Sequence, residues 1–281
     1  MVFFEQPLID HWINEDAPLV DLTSELAGID ATPARITFRA RHATRVSGTE
    51  EAAQIIQRLG GEVIDLRASG EDAEQGELLL AAHGPARALH RAWKVSLNLL
   101  EYACGIATRG RDMLAEARRA NPEIMLFTTR KHPPGVKKVV TKAIRAGGLW
   151  PHRLGLSETV LAFDQHLNFV GGLEGFLERV RANRAAVAEK KVLVEVEDLD
   201  QALMAARAGV DGIQFDKLPV DELTENVQRL RRDHSGLTLL AAGGIREDNV
   251  ADYAATGVDG LVLSSVYYVP PADIGVTLEP R

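Results

Sequence analysis

The sequence predicts an α/β protein whose chain divides into two parts of different character. Residues 1–105 mix strand-like and helical segments without a regular order, as expected for a separate α+β layer domain. From residue 106 to residue 281, short apolar runs alternate with helical stretches, which is typical of parallel βαβ units. Residues 208–213, AGVDGI, resemble residues 256–261, TGVDGL, and each copy joins a predicted helix to a predicted strand. Repeated units of this kind favour a βα-barrel for the second part.

The first part contains clear helix and strand signals but no chemical motif. Asp21-Leu22-Thr23-Ser24-Glu25-Leu26 has the polar and acidic residues that begin a helix. Alternating apolar residues predict strands, and amphipathic segments predict helices. The predicted strands are 34–40, 62–66 and 78–82, and the predicted helices are 49–59 and 86–102.

Six apolar runs supply the strands of the predicted barrel. They are Ile124–Phe127, Thr159–Phe163, Val192–Val196, Ile213–Phe215, Leu237–Leu240 and Leu261–Leu263. A doubly wound open sheet is the competing architecture, but no G-x-G-x-x-G motif follows any of these runs. The tail, residues 272–281, contains IGVTL, and we expect this strand to pair with a sheet.

Composition and charge exclude several classes of protein. The chain has 281 residues, 46% hydrophobic and 26% charged, and its net charge of -8 argues against a general nucleic-acid binder. The single cysteine, Cys104, lies in an apolar helix pattern, which predicts a core thiol in a reducing compartment. Residues 1–16 lack the basic segment of a signal peptide, and no uncharged apolar run approaches the roughly 18 residues of a membrane span. We therefore expect a cytoplasmic protein without membrane spans.

Residues 128–153 gather cations around a strand end and glycine-rich turns. A basic helix is predicted inside this segment, and we interpret its Lys137, Lys138 and Lys142 as a solvated face. The remaining cations flank strand ends and turns, where binding residues concentrate. Such cations suit a carboxylate or a phosphate, because the planar arginine fork matches either anion. These remaining cations are Arg130, Lys131, His152 and Arg153.

The chemistry of a βα-barrel lies at the carboxyl ends of its strands, so the residues there are candidates. They are Thr129, Arg130, Lys131, Glu195, Glu197, Asp216, Lys217, Ser264 and Ser265. Glu195 and Asp216 could hold ribose hydroxyls or a Mg²⁺-bound ligand, since Mg²⁺ prefers oxygen ligands. They could equally form ordinary ion pairs with neighbouring cations. A Schiff-base aldolase using Lys131 or Lys142 would require a lysine in an apolar setting.

Ala242-Gly243-Gly244 is a candidate phosphate loop. Glycines let backbone N–H groups approach an anion, and a helix predicted at Ile245 or soon after would add its partial positive charge. Two adjacent glycines are also common in ordinary turns. The position of this loop and of Ser264-Ser265 after the last two predicted strands favours phosphate, because barrels commonly bind it there.

Several long segments together resemble one known family. They are DLTSEL, GPARALHRAWKVSLNLLEYACGIAT, TRKHPPGVK, AIRAGGLWPHRLGLSETVLAFD, VEVEDL, AGVDGIQFD and AAGGIREDNVADYAATGVDGLVLSS. The chain is similar in these segments to the quinolinate phosphoribosyltransferases, also called nicotinate-nucleotide pyrophosphorylases. It is most like the divergent ModD-type branch, which is linked to molybdate-transport operons.

The resemblance implies a fold and a reaction. The fold would be an N-terminal α/β sandwich domain over residues 1–105, followed by an incomplete α/β barrel over residues 106–281. The reaction would join quinolinate to phosphoribosyl pyrophosphate with Mg²⁺, releasing pyrophosphate and CO₂ and forming nicotinate mononucleotide for NAD biosynthesis. A homodimer or higher homo-oligomer would share the active site between subunits.

The resemblance also implies roles for individual residues. Arg130, His152 and Arg153 would belong to the basic pocket for the aromatic acid. Lys131 would be a catalytic lysine of the same pocket that also lies close to the diphosphate. Glu195 and Asp216 would be the acidic pair near the ribose, where nearby carboxylates stabilise an oxocarbenium-like carbon. The remaining implied residues bind phosphate, Gly243 and Gly244 in one loop and Ser264 and Ser265 in a second.

The chain departs from the family pattern mainly at the acid pocket. Lys94 stands where the family has an arginine from the neighbouring subunit, and lysine lacks the bidentate fork. Phe163 stands where the family has a lysine, which removes one cation from the pocket. Smaller departures are His132 for threonine, Leu149-Trp150-Pro151 for a polar glycine-rich segment, Lys217 for asparagine, and LSSVYY in the last loop.

These departures suggest that binding of phosphoribosyl pyrophosphate is retained while the acceptor has changed, to a less charged aromatic. An unpaired buried carboxylate is costly, so Phe163 would disfavour a dicarboxylate. The alternative hypothesis is a catalytically silent ligand-binding or regulatory protein of molybdenum metabolism. Retention of both Glu195 and Asp216 favours the enzyme.

Overall fold

The computed structural model describes residues 2–281, which form two compact units. Of the described residues, the first unit contains 2–112, 132–148 and 266–281, and the second unit contains 113–131 and 149–265. The first unit therefore draws on segments from both parts of the chain, whereas the second unit lies wholly within residues 106–281. The boundary between residues 105 and 106 stays a prediction.

The elements are numbered in chain order. The helices are α1 Gln6–Asp16, α2 Leu22–Ala27, α3 Thr49–Arg58, α4 Ala86–Ala120, α5 Lys137–Ala146, α6 Asp164–Leu167, α7 Gly172–Ala182, α8 Leu199–Arg207, α9 Val220–Asp233 and α10 Val250–Ala255. The strands are β1 Pro33–Ala40, β2 Thr44–Arg45, β3 Glu62–Leu66, β4 Asp72–Ala73, β5 Leu78–Pro85, β6 Met125–Thr128, β7 Trp150–Pro151, β8 Val160–Ala162, β9 Val192–Val196, β10 Gly212–Asp216, β11 Thr238–Ala242, β12 Gly260–Leu263 and β13 Ile274–Pro280. Two 3₁₀ turns, Arg184–Val187 and Ser265–Tyr267, complete the described elements.

The first unit is built on an antiparallel sheet of four strands in the order β13-β1-β5-β3. β1 lies between β5 and β13, so the predicted tail strand does pair with a sheet. Ile36 and Phe38 of β1 are fully buried, as is Leu80 of β5. The helix predicted at residues 21–26 is confirmed as α2, where the Asp21 carboxylate accepts from the backbone N–H groups of Thr23 and Ser24. Cys104 is a core residue, as predicted, and burial raises the pKa of its thiol to about 12.

The interpretation of the basic helix α5 as a solvated face is wrong for Lys142. Lys142 is 7% exposed, and its Nζ donates to Glu50 Oε2 at 2.7 Å and to Glu51 Oε1 at 2.7 Å. The side chain of Lys138 also forms an ion pair, with Glu5. Only Lys137 matches the interpretation, since it is exposed. The sequence periodicity could not reveal these pairs, because the partners lie about 90 or more residues earlier in the chain.

The second unit is a curled parallel sheet of seven strands, a half-barrel in the order β7-β6-β12-β11-β10-β9-β8. All its pairings are parallel, which confirms the predicted βαβ units. The predicted α/β fold class is therefore confirmed. Buried side chains from four strands line the inner face, with Phe127 and Phe163 packed against them. This inner cluster is Leu161, Leu193, Leu240, Ala242 and Val262.

The two copies of the short repeat have the same structural role. Asp211 Oδ2 accepts from the backbone N–H of Val192 at 2.8 Å, and Asp259 Oδ2 accepts from that of Leu239 at 2.7 Å. Each aspartate thus closes the amino-terminal end of the strand before its own. Each is also paired with an arginine, Asp211 with Arg184 and Asp259 with Arg231. The repeat is therefore a repeated structural unit of the sheet, as predicted.

Candidate active site

The carboxyl ends of β6 and β12 are joined by a backbone hydrogen bond. Thr129 N–H donates to Leu263 O at 3.0 Å, so the residues after both strands begin at the same edge of the sheet. Lys131 N–H donates to Thr129 Oγ1 at 3.2 Å, which turns the chain directly after the strand. Arg130 and Lys131 are exposed at this turn.

His152 and Arg153 follow β7 at the same edge. His152 N–H donates to Thr128 O at 2.9 Å, and the His152 ring meets Phe127 edge-on at 6.3 Å between centroids. Burial, reinforced by the charge of Arg153, lowers the pKa of His152 from 6.5 to about 4. His152 is therefore neutral at physiological pH and can accept or donate one hydrogen bond through its ring.

Arg153 is a buried cation without a carboxylate at salt-bridge distance among the described residues. It is 9% exposed, and its guanidinium carbon lies 5.7 Å from the centre of the Phe163 ring. Burial lowers its pKa, the charge of Arg130 adds to this effect, and Glu158 opposes it. A buried guanidinium stacked on an aromatic face retains donors for an anion.

Phe163 packs between the inner cluster of the half-barrel and His166. The Phe163 and His166 rings are stacked, with centroids 5.8 Å apart and an angle of 28° between planes. Arg153 and His166 also line a cleft of about 380 Å³ beside β8. The other residues that line this cleft are Leu156, Ser157, Glu158, Thr159, Val160, Leu161, Ala162, Phe176 and Lys190. The cleft is mainly apolar, with two cations, Arg153 and Lys190, and one carboxylate, Glu158, in its lining, which suits an aromatic acid.

The next two strands bring two carboxylates to the same edge. Glu195 on β9 is half-buried, and its Oε2 accepts from Gln214 Nε2 on β10 at 2.6 Å. Burial raises the pKa of Glu195, the Gln214 hydrogen bond opposes the rise, and the charge of Asp216 adds to it. Asp216 ends β10, and its Oδ2 accepts from Lys217 Nζ at 2.6 Å. The predicted ion-pair alternative therefore holds for Asp216, whereas Glu195 has no salt bridge among the described residues.

The glycine loop after β11 lies against Asp216 and Lys217. A Cβ atom on Gly243 would lie 2.4 Å from Lys217 Cγ and 2.8 Å from Asp216 Oδ1, and Gly243 has φ +88°. Glycine is therefore required at this position. Lys217 is itself the one described non-glycine residue with positive φ, at 57°. Strained backbone of this kind concentrates at functional sites.

The helix predicted to begin near Ile245 begins instead at Val250, and it has only six residues. Asn249 closes the loop in its place, because Asn249 Nδ2 donates to Gly244 O at 3.0 Å and Asn249 Oδ1 accepts from Arg246 N–H at 2.7 Å. Ser265 Oγ donates to Ile245 O at 3.1 Å. The two predicted phosphate loops are therefore held together.

The structure brings most of the predicted site residues to one edge of the second unit. These are Arg130, Lys131, His152, Arg153, Glu195, Asp216, Gly243, Gly244, Ser264 and Ser265. Lys94 lies in the first unit, exposed on α4, with its Nζ 4.9 Å from the centre of the Trp93 ring. The sequence analysis did not identify Gln214 or Asn249 as residues of the site. The sequence signal for Gln214 was a polar residue inside the apolar run of β10.

The setting of the lysines bears on the aldolase alternative. Lys131 is exposed, and Lys142 lies between two carboxylates. Neither has the apolar surroundings that a Schiff-base lysine needs. Residues 2–281 contain no group of three or more His, Cys, Asp or Glu side chains that could hold a metal ion. None of the described helices is long and apolar enough to cross a membrane.

The fold and the site define an α/β half-barrel protein with cations and carboxylates gathered at the carboxyl edge of its sheet. The family model described as quinolinate phosphoribosyl transferase, C-terminal domain, matches residues 106–277, and the N-terminal domain model matches residues 21–104. The chain belongs to the quinolinate phosphoribosyl transferase family, a family of phosphoribosyltransferases.

Relatives in this family carry two kinds of name. The chain is 40% identical to the "Putative pyrophosphorylase ModD" of Rhodobacter capsulatus, over 87% of this chain and 94% of that protein. It is 31% identical to the "Probable nicotinate-nucleotide pyrophosphorylase [carboxylating]" of Methanothermobacter thermautotrophicus, over 96% of this chain and 98% of that protein. The crystal structure of nicotinate-nucleotide pyrophosphorylase from Ehrlichia chaffeensis matches with a TM-score of 0.90 at 21% identity, over 99% of this chain and 100% of that one. This last match supports the fold.

Proposed function

We propose that this protein transfers phosphoribose from phosphoribosyl pyrophosphate to quinolinate or a related heteroaromatic acid, releasing pyrophosphate. With quinolinate the transfer would also release CO₂ and give nicotinate mononucleotide. The observation that carries the proposal is that an acidic group and a basic group lie at the same carboxyl end of the sheet. The acidic group is the carboxylate pair on β9 and β10, with the glycine loop after β11, and the basic cluster follows β6 and β7.

The donor half of the site has the groups that a ribose phosphate needs. Glu195 and Asp216 can accept hydrogen bonds from ribose hydroxyls, and their charge stabilises positive charge that develops on the ribose carbon. Gly244 has open space beside its backbone, which leaves room for a phosphate, whereas Gly243 packs against Asp216 and Lys217. Ser265 closes the neighbouring loop. Lys217 adds a cation beside Gly243, where it could bind the phosphates of phosphoribosyl pyrophosphate.

The acceptor half favours an aromatic acid with fewer carboxylates than quinolinate. Arg153 has donors for one carboxylate, and neutral His152 can hydrogen-bond to a ring nitrogen or a second polar group. Phe163 offers an apolar face to the aromatic ring but no charge. A second carboxylate placed over Phe163 would lose its hydration without gaining a partner.

Magnesium would enter with the diphosphate of the donor. The described residues contain no cluster of three or more His, Cys, Asp or Glu side chains that could hold a metal ion. Mg²⁺ in such sites is commonly bound by one or two carboxylates together with substrate phosphates, and Glu195 and Asp216 fit that pattern. The metal would supply charge neutralisation for the leaving pyrophosphate.

The first experiment is turnover of the purified protein with phosphoribosyl pyrophosphate, Mg²⁺ and quinolinate, following nicotinate mononucleotide and pyrophosphate together. Formation of both at an ordinary enzymatic rate would establish quinolinate transfer and contradict the changed acceptor. Pyrophosphate release only with other aromatic monoacids would support the changed acceptor. A protein that neither binds the donor by calorimetry nor releases pyrophosphate would overturn the proposal in favour of a silent ligand-binding protein.

Phe163→Lys tests the acceptor half directly. A lysine here adds the missing cation, so we expect kcat/KM for quinolinate to rise about tenfold or more, since one new charged hydrogen bond typically contributes on the order of 1.5–3 kcal/mol. Phe169→Lys is the matched control, because Phe169 is 87% exposed on the same unit. No gain with Phe163→Lys, in a protein that still binds the donor, would count against this account of the pocket.

The partner of the protein would be a second copy of the same chain. A shared active site would use Lys94 of the neighbouring subunit, as the family resemblance implies. The mass of the protein in solution, measured by light scattering, tests this part, and a stable monomer would contradict it. A role in molybdenum metabolism stays a prediction.

A further inference from the structure

Gln214 is an amide in an otherwise apolar layer of the half-barrel. It is 3% exposed and lies in register with Leu240 of β11 on one side and Glu195 of β9 on the other. Because Leu240 belongs to the inner cluster, Gln214 faces the interior of the sheet. A buried amide in such a layer is unfavourable unless its hydrogen bonds are satisfied.

Only one of the two polar atoms of this amide has a hydrogen-bond partner among the described residues. Gln214 Nε2 donates to Glu195 Oε2 at 2.6 Å, whereas Gln214 Oε1 is buried and has no partner among the described residues. A leucine or methionine at this position would place no unpaired amide oxygen in the layer. The amide is therefore better explained by the group that it holds than by the stability of the barrel.

We propose that Gln214 is a positioning residue for the donor site. It fixes one oxygen of Glu195 and leaves the other to accept a ribose hydroxyl, and its own Oε1 accepts a further hydrogen bond from the ligand or its bound water. This inference rests on the proposed function, since it deepens the donor half of that site.

The geometry gives Gln214 this task because Glu195 has no other side-chain partner among the described residues. Asp216 is held by Lys217, but the described residues give Glu195 no salt bridge, and Gln214 Nε2 is its one side-chain hydrogen-bond donor there. Asp216, Lys217 and Asp164 are the charged groups that act on Glu195 from neighbouring elements. Two of these three are acids that repel the carboxylate, so without Gln214 the side chain would turn away from them.

The test is calorimetric binding of phosphoribosyl pyrophosphate with Mg²⁺ to the full-length protein and to Gln214→Met, together with thermal unfolding and steady-state kinetics. Methionine keeps the length of the side chain and removes both hydrogen-bonding atoms. We expect the affinity for the donor to fall about tenfold, since a hydrogen bond to a charged group is lost. Tm should change little, because the lost bond to Glu195 is offset by removal of the unpaired Gln214 Oε1. KM for the donor should rise by a similar factor, and KM for the acceptor should stay the same.

Asn226→Leu is the matched control. Asn226 is also a buried amide of the second unit, 5% exposed with Nδ2 unpartnered among the described residues, but it lies on α9 away from Glu195. Donor affinity should be unchanged in this variant. Gln214→Asn keeps the amide but shortens it by one carbon, and we expect it to behave like Gln214→Met because the bond to Glu195 cannot be reached.

The outcomes separate this inference from the proposed function. If the wild-type protein binds no donor, the proposed function fails first. If the wild type binds the donor and Gln214→Met binds it equally well, the positioning role is wrong. A fall in Tm for Gln214→Met that matches its loss of binding would make Gln214 a structural residue and would also overturn the inference.

Discussion

The two ends of the parallel sheet use the same kind of residue in opposite ways. At the amino-terminal end, Asp211 accepts from a strand N–H and from Arg184; although burial alone would raise its pKa, these bonds hold it below its usual range. At the carboxyl end, burial and Asp216 raise the pKa of Glu195 despite the bond from Gln214. The fold therefore stabilises the ionised form of Asp211 and disfavours the ionised form of Glu195. This difference indicates which end serves stability and which end serves a ligand.

The cations follow the same division. Arg184 and Arg231, at the amino-terminal end, are each paired with an aspartate. Arg153, at the carboxyl end, is buried against an aromatic ring rather than against a carboxylate. The positive charge of Arg153 is therefore available to bind an anionic ligand.

The sharpest test of this division is Glu195→Gln. We expect the transfer rate to fall by about 10²–10³, since a charge that stabilises the transition state is lost. The free energy of unfolding should stay the same or increase, because the fold disfavours the carboxylate that is removed. Kinetics and urea unfolding measured on the same preparation check both parts, and full activity in this variant would remove Glu195 from the site.

Gly243→Ala probes the carboxyl end through the backbone. The added Cβ would clash with Lys217 and Asp216, so we expect donor affinity to fall tenfold or more and stability to fall by about 1–3 kcal/mol. Gly244→Ala is the control, since Gly244 also has positive φ but nothing lies within 4 Å of the added atom. Only a strain of about 1–2 kcal/mol is expected there. Equal effects of the two substitutions would contradict the close packing of Gly243 against the acid.

Asp259→Ala tests the amino-terminal end. This substitution leaves the buried N–H of Leu239 without its acceptor, so stability should fall by about 1–3 kcal/mol. The value of kcat for folded protein should stay within about twofold, since the residue is far along the strands from the site. Chemical denaturation and kinetics below the transition measure the two quantities, and a large loss of kcat without loss of stability would reverse the assignment of the two ends.

The pH dependence of stability tests the burial of His152. The pKa of His152 is about 4 in the folded protein and 6.5 ordinarily, so between these values the unfolded chain binds the additional proton. Stability contributed by neutral His152 is therefore complete above pH 6.5 and is lost as pH falls toward 4. Comparing Tm across this range for the wild type and His152→Gln measures the contribution. A Tm difference between the two proteins that does not change with pH would mean that His152 does not titrate in this way.

Much of this architecture could be predicted because it rests on local pattern. The apolar runs that became β6, β9, β10, β11 and β12 were visible, since strands buried on both faces require continuous apolar residues. The two GVDG segments were visible because each aspartate must occupy the same place in the same unit. The cations and acids at the strand ends could be found once the barrel order was assumed.

Other features depend on which distant segments meet. The helix expected at Ile245 begins at Val250 because the Asn249 side chain closes the loop first, and this preference is not visible in a glycine pair. Lys142 resembles its exposed neighbours in sequence, yet it is buried because Glu50 and Glu51 lie beside it in space.

The sequence by itself determined the class of fold, the strands and the residue types at their carboxyl ends, because each follows from neighbouring residues along the chain. Only the tertiary structure decided that Gln214 holds Glu195, that Phe163 lies under Arg153 and that the tail strand joins β1. These relations depend on strand register and on packing between residues far apart in sequence. A local apolar pattern fixes which face of a strand is buried, but it does not name the distant segment that the strand meets.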